Sequence, residues 1–558
     1  MIYSAYKYEK DTFFEHAAYG KAVIFDPNKD YKYVKHEHID ELIIKIQRTV
    51  LGFFDSFYRI QEAEESEWHY KRVTDAMQTV FWIWYFDYIM MDIRKNKKVS
   101  FLKLYDLALE KARVRLKEGI VTTYILPESR AKADELIDEF EYPIKKLIKR
   151  VLFMDQISKY QEPIIVVTEE FHEEYFYQLS PYVKGLVIRD VNNPNEVVEF
   201  AHAFEIPMIK SQEDIQNGDK IIIDNKRNHF YIKPHKELYE QYVKEVDGST
   251  IGRFELSKYS MKQLKIFANI VDTRPLESVK NRQFYYSLGL FRTEYFFMTK
   301  GMVPFKEELT DVFVKVFNAF MYREINVRIP DFGEFKHLNY LSYVKTSITE
   351  NGSRTIIYEV FFEALVDAIM QTKANVNVVA PMLRDYRDIP LWKEKLDFIF
   401  EKIPKEYKPK FGIMLETENS VDEIEKYVKK MDFNIIGLND LIEEVSFDFN
   451  RYDELEWLDF EHELFTYIQQ SHQHMRRTGI RLPHLISGNM IRNERLFQKL
   501  INMGFTQFII PLSQIRLAEK LVSNHEATRG RYIGVAQKRR EAKKAKEKDK
   551  EKNKEKKE

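Results

Sequence analysis

Cysteine is absent from all 558 residues, which excludes disulfides, thiolate metal sites and a cysteine nucleophile. A reducing compartment suits such a chain, so a cytoplasmic protein is expected. Net charge is nearly absent as well: 87 Lys and Arg stand against 88 Asp and Glu, a formal charge of −1. That balance gives no general drive toward nucleic acid or a membrane surface. No apolar run reaches the ~20 residues that a bilayer span needs. The most apolar one, Val80 to Met91 (VFWIWYFDYIMM), is short and interrupted by Asp87, so it is expected to be a buried helix. Met1 to Asp11 is polar and charged and does not read as a signal peptide. What is present is the 44% hydrophobic content of an ordinary globular protein, and a length that suggests about three to four domains.

The hydrophobic period changes along the chain. Gly20 to Phe25 reads as a strand closed by Asp26-Pro27. From about His38 to Leu152 the period is helical, as in Ile39, Leu42, Ile43, Ile46 and Val50, and about four helices are expected. Short β-rich runs follow at Ile164 to Thr168, Gly185 to Ile188, Lys220 to Asp224 and His229 to Lys233, with a helix over Glu196 to Phe204 between them. Further on, apolar runs alternate with helical stretches: Phe267 to Ile270, Gly289 to Arg292, Ile325 to Ile329, Val376 to Ala380, Gly412 to Glu416, Asn434 to Gly437, His484 to Ser487 and Gln507 to Ile510. These eight candidate strands predict a (β/α)8 barrel. The expected organisation is an α/β module from residues 1–37 and 153–233, a helical subdomain over 38–152, a linker helix over 234–254, the barrel over 255–530 and a lysine-rich tail over 531–558. The tail reads as a solvated appendage in preference to a nucleic-acid contact.

Catalytic groups of such barrels sit at the C-terminal ends of the strands. Those ends hold Arg292 in GLFRTEYFFM, Arg328 in NVRIPDFGEFK, Glu416 in GIMLETENS and Asn439-Asp440 in IIGLNDL, with Arg451 shortly after. Guanidinium groups bind phosphate and carboxylate in a fork, and two carboxylates beside an anion supply the oxygen ligands Mg²⁺ prefers. Any one of these residues alone would read as a surface charge. Their order and spacing together predict a site for a small polyanion with a divalent metal.

The same strings resemble Enzyme I, the phosphoenolpyruvate–protein phosphotransferase of the bacterial sugar phosphotransferase system, and its phosphoenolpyruvate-utilising relatives. Leu290 to Met298 is similar to the family segment Leu-x-Arg-Thr-Glu, Val327 to Lys336 to Val-Arg-Thr-x-Asp-x-Gly-x-x-Lys, Gly412 to Thr417 to Gly-x-Met-x-Glu-Thr, and Ile436 to Leu441 to Ile-Gly-Thr-Asn-Asp-Leu. By that resemblance Glu416 and Asp440 would bind Mg²⁺. Arg292, Arg328, Asn439 and Arg451, the last after a one-residue shift, would hold the phosphate and carboxylate of phosphoenolpyruvate, and Arg354 in NGSRTII would stand for a further arginine. VKGLVIRD, FAHAFEIPMI and NGDKIIIDNKRNHFYIKP follow the family's swivelling phosphohistidine domain in order. The helical insert falls where the family docks its histidine phosphocarrier protein, HPr, and family barrels pair, so a homodimer is implied.

Two positions depart from the family. Its phosphoacceptor histidine aligns with Glu196, and its proton-donating cysteine with Ser487, in Ser487-Gly488-Asn489-Met490. A carboxylate acceptor would form a reactive acyl phosphate where an imidazole is a nitrogen nucleophile near pH 7. A serine hydroxyl is a far weaker acid than a thiol of pKa about 8.5. His202 lies about 9 Å along the helix from Glu196 and does not substitute. His172, His229 and His235 lack a glycine-rich setting, and His472 and His474 read as surface residues. The expectation is an Enzyme I-like protein that keeps a Mg²⁺ and phosphoenolpyruvate-type site but no intact catalytic residue; an active, divergent phosphotransferase is the alternative.

Overall fold

The computed structural model describes residues 2–4, 17–32, 36–63, 84–118, 127–189, 194–225, 227, 229–249, 264–276, 286–331, 350–445, 484–488 and 494–512, with isolated positions between 465 and 477 and at 515, 518 and 522. Its first unit is a seven-stranded sheet. The strands are β1 (Ile2–Ser4), β2 (Ala17–Phe25), β5 (Ile164–Thr168), β6 (Val183–Ile188), β7 (Met208–Lys210), β8 (Lys220–Asp224) and β9 (His229–Ile232), in the order β1-β9-β8-β2-β5-β6-β7. The β2-β5-β6-β7 half is parallel and the β1-β9-β8-β2 half antiparallel. All five residues of β5 are buried, which accounts for the unbroken apolar run IIVVT in a parallel central strand. The three-residue strands β1 and β7 carry no periodic signal of their own and were not expected.

Between β2 and β5 the chain forms a two-stranded ribbon, β3 (Tyr31–Lys32) with β4 (Lys98–Val99), and helices His36–Ala63, 84–96, Phe101–Glu118 and Pro127–Ile157. Of the expected buried helix, Val80 to Met91, residues 80–83 lie outside the described residues and the remainder is half-buried. Tyr85, Ile89 and Ile93 face inward at four-residue spacing, whereas Met90 and Met91 are 43% and 42% exposed. A helix presents only one stripe to its neighbours, however apolar the run.

Helix Lys236–Ser249 leads from the sheet to the barrel. The barrel is closed and parallel: β10 (Lys265–Ile270), β11 (Leu288–Arg292), β12 (Glu324–Arg328), β13 (Asn375–Ala380), β14 (Lys410–Leu415), β15 (Phe433–Gly437), β16 (His484–Ser487) and β17 (Gln507–Pro511), with β17 pairing back to β10. All eight strands lie where the alternating pattern placed them. Phe267, Leu290, Val379, Met414, Phe433, Ile435, Leu485 and Ile509 form an apolar cluster separate from the main core. They come from seven different strands, so they fill the barrel's interior. Gly412 makes room for this filling, because a Cβ there would lie 2.4 Å from Cζ of Phe433. Polar residues inside are satisfied: Asn326 donates to the Gly289 carbonyl (3.0 Å), and Asn377 donates to Asn326 (2.9 Å) and Glu324 (2.7 Å).

Candidate functional site

Because the strands run parallel, their C-terminal ends open on one mouth. Arg292 ends β11 and Arg328 ends β12, and the two are register partners. Two guanidinium groups side by side repel, and Glu294 resolves the conflict. Fully buried, it accepts from Arg292 Nε at 3.0 Å and holds Arg328 through both carboxylate oxygens. Arg328 is itself 1% exposed, and its Nη1 also approaches Met414 Sδ at 3.5 Å. Burial works against the charge of Arg328, but Glu294, Asp331, Glu416 and Asp440 outweigh it and hold the group firmly protonated. Arg292 is likewise raised, burial being overcome by Tyr295 and Glu294, with Asp440 adding to them. Its guanidinium lies 4.7 Å from the centroid of the Tyr295 ring. Thr293 locks the two strand ends together, its hydroxyl donating to the Arg328 carbonyl at 2.6 Å.

Across the mouth, Glu416 follows β14 and is fully buried; its Oε1 accepts the backbone N–H of Met382 at 2.7 Å. Gly437, ending β15, is required beside it, since a Cβ there would stand 2.5 Å from Glu416 Oε2. Asn439 and Asp440 open the helix Leu438–Val445 that follows β15. Ser487 ends β16 opposite Gly437 and is buried. Gly488 follows at φ +148°, where a Cβ would come 2.6 Å from Leu438 Cβ and 3.2 Å from Asn439 Oδ1. Ser487, Asn439, Asp440 and Glu416 therefore gather on three neighbouring strand ends.

Among the described residues, two guanidinium groups in this cluster face four carboxylates: Glu294, Asp331, Glu416 and Asp440. Among these described groups the formal excess is negative, which favours a cation beside any bound anion. Glu416 and Asp440 are hard oxygen donors and fit Mg²⁺, which is commonly held by one or two carboxylates with substrate and water completing the shell. No group of three or more His, Asp or Glu able to cage a metal occurs among the described residues.

The structure thus brings together Arg292, Arg328, Glu416, Asn439, Asp440 and Ser487. Arg451 and the side chains of Glu196 and Arg354 lie outside the described residues. Sequence reasoning quoted Glu294, Tyr295 and Asp331 without giving them a role. The signal was the position of Glu294, two residues beyond Arg292 in Arg-Thr-Glu. The Met382 amide left no sequence signal. One histidine reading is corrected: His472 is buried, stacked 5.5 Å from His484 and 4.4 Å from Phe505. Its charged neighbours concealed an inward position, while His474 is exposed as expected.

The family described as PEP-utilising enzyme, PEP-binding domain, matches residues 247–527, half of the chain. The chain is similar to the phosphoenolpyruvate-protein phosphotransferase of Buchnera aphidicola subsp. Schizaphis graminum, 23% identical over 68% of this chain and 70% of that protein. It is similar to the protein of the same name from Staphylococcus carnosus, 23% identical over 70% of this chain and 73% of that protein. Multiphosphoryl transfer protein 2 of Escherichia coli is 26% identical over 51% of this chain and 37% of its own length. With its closed parallel barrel and its arginine and carboxylate strand ends, the chain belongs to the PEP-utilising enzymes through their PEP-binding domain.

Proposed function

We propose that this protein binds phosphoenolpyruvate, or a related small carboxylate such as pyruvate or oxalate, with Mg²⁺ at the barrel mouth, and has lost phosphoryl transfer by the usual route. The observation that supports it is the pairing of Arg292 and Arg328 on one side of the mouth with Glu416 and Asp440 on the other. In this reading the two arginines and Asn439 bind and orient the anion, and Arg451 and Arg354 join them on motif grounds. Glu416 and Asp440 would hold Mg²⁺, whose positive charge offsets the carboxylate excess and the ligand's phosphate. Both reactive positions are changed, with Glu196 for the phosphoacceptor and Ser487 for the proton donor. The protein is then a sensor or regulatory relative, cytoplasmic and without cysteine. A phosphocarrier of the HPr kind would meet the helical insert, and a second copy would pair through the barrel; light scattering tests the pairing. Among the described residues no helix is long and apolar enough to cross a membrane.

The names of the relatives, which cover about two thirds of the chain, favour a second reading as an active, divergent phosphoenolpyruvate–protein phosphotransferase. Calorimetric titration of phosphoenolpyruvate with and without Mg²⁺, with an assay for pyruvate, separates the two. Mg²⁺-dependent binding without pyruvate release is the expected result. Pyruvate release, or radiolabel retained on the chain, supports the phosphotransferase. Absence of binding overturns both.

A further inference from the structure

The helix Pro194–Ala203, which carries the phosphoacceptor position in the α/β unit, meets the barrel through aromatic rings. Phe200 on that helix and Phe204 just after it lie edge-on to Tyr295, at 5.4 and 5.9 Å between centroids. Tyr295 is 2% exposed, and it is the ring over which the Arg292 guanidinium sits. The barrel grips the helix end a second time through Arg274. Its Nη2 donates to the Phe204 carbonyl at 2.9 Å, its guanidinium lies 5.0 Å from the Phe204 ring, and its Nε is held by Asp272. Phe176, from the same α/β unit, backs both rings at 5.8 and 4.8 Å.

We infer that Tyr295 is a positioning residue that couples anion capture by Arg292 to the seating of helix Pro194–Ala203 on the barrel. The ring has two occupants, the Arg292 cation and the phenylalanine pair. An aromatic ring has few rotamers and buried rings do not yield freely, so displacing either occupant disturbs the platform of the other. The guanidinium fork binds an anion only in the right plane, and Glu294 and Tyr295 together set that plane. Phe200 and Phe204 are not among the residues proposed to hold the ligand, yet their loss would reach the site through Tyr295. The inference rests on the proposed anion site for its ligand but not for its mechanical part.

The test uses the full chain with Tyr295→Leu, Tyr295→Phe and Phe200→Leu. In calorimetry with phosphoenolpyruvate and Mg²⁺, Tyr295→Leu and Phe200→Leu are each expected to weaken binding about tenfold, while Tyr295→Phe keeps it within about twofold. Hydrogen exchange without ligand is the second readout. Amides of residues 197–203 are expected to exchange faster in Tyr295→Leu and at the wild-type rate in Tyr295→Phe. If the wild type binds no phosphoenolpyruvate, the ligand proposal fails, and the exchange measurement still decides the coupling. Unchanged exchange in Tyr295→Leu overturns the inference, as does unchanged affinity in Phe200→Leu when the wild type binds.

Discussion

Among the described residues, two of the clusters that bury charge differ in how the charge is matched. At the junction of the helical insert, the sheet and the barrel, Lys146 lies 2.8 Å from Glu173 and 3.6 Å from Glu174. Beside them Arg150 donates to the Lys300 carbonyl and faces Tyr177, and Lys300 pairs with Glu308 at 2.6 Å. Three basic groups, Lys146, Arg150 and Lys300, meet three carboxyl groups, Glu173, Glu174 and Glu308, beside the rings of Tyr142 and Tyr177. At the barrel mouth, among the described residues, two guanidinium groups meet four carboxylates on the ends of separate strands. A matched cluster completes itself and holds elements together. An excess of one sign at the mouth of a barrel leaves charge that a ligand or ion can match. The same residue types thus serve cohesion in one place and binding in the other, and the balance tells them apart.

The largest expected effect breaks the mouth cluster. Arg328→Met leaves the fully buried Glu294 with Arg292 as its remaining cation, and losing one partner of such a buried pair costs about 3–5 kcal/mol. Denaturant unfolding should show that loss, and calorimetry should show phosphoenolpyruvate binding abolished. Adding Glu294→Met is expected to recover much of the stability and none of the binding, the signature of a coupled pair. Lys146→Met is the matching experiment at the junction. It leaves Glu173 and Glu174 without their close cation and is expected to cost somewhat less, about 2–4 kcal/mol, because Arg150 still faces Glu174. Its affinity for phosphoenolpyruvate should equal that of the wild type. A ligand effect from Lys146→Met, or none from Arg328→Met, would erase the distinction between the clusters.

The sequence showed the mouth far better than the junction, and the reason is physical. Strand periodicity placed all eight barrel strands, and parallel strands carry the residue after each run to one face. Gly437 and Gly488 were visible as motif glycines, but their role needed coordinates, which show Glu416 Oε2 and Leu438 Cβ filling the space of a side chain. The junction joins Lys146, Glu173, Lys300 and Glu308, which are distant in sequence and individually unremarkable as charged residues. Nothing local distinguishes a buried lysine from a solvated one. The same limit hid His472 and His484, whose stacked rings pack on Phe505. Burial pushes His484 down to about 3, with His472 adding to the shift.

A smaller effect sharpens the comparison through pH. Glu173 and Glu174 share one lysine, and burial first, then the charge of Glu173, pushes the Glu174 carboxyl up to about 8. The native state therefore holds a proton that the unfolded chain releases near the ordinary glutamate value of 4.5. Stability from this group is full below the unfolded value and is lost as pH rises toward the folded one. Glu174→Gln removes the titration while keeping size and polarity. The variant should come close to the wild type near pH 5 and exceed it clearly at pH 8, read from urea midpoints at each pH. A gain of the same size at both pH values would mean that packing, not protonation, sets the difference. A loss at pH 8 would mean that Glu174 is ionised and completes the match with Lys146 and Arg150, so that the junction is balanced by charge alone and the contrast with the mouth is wider still.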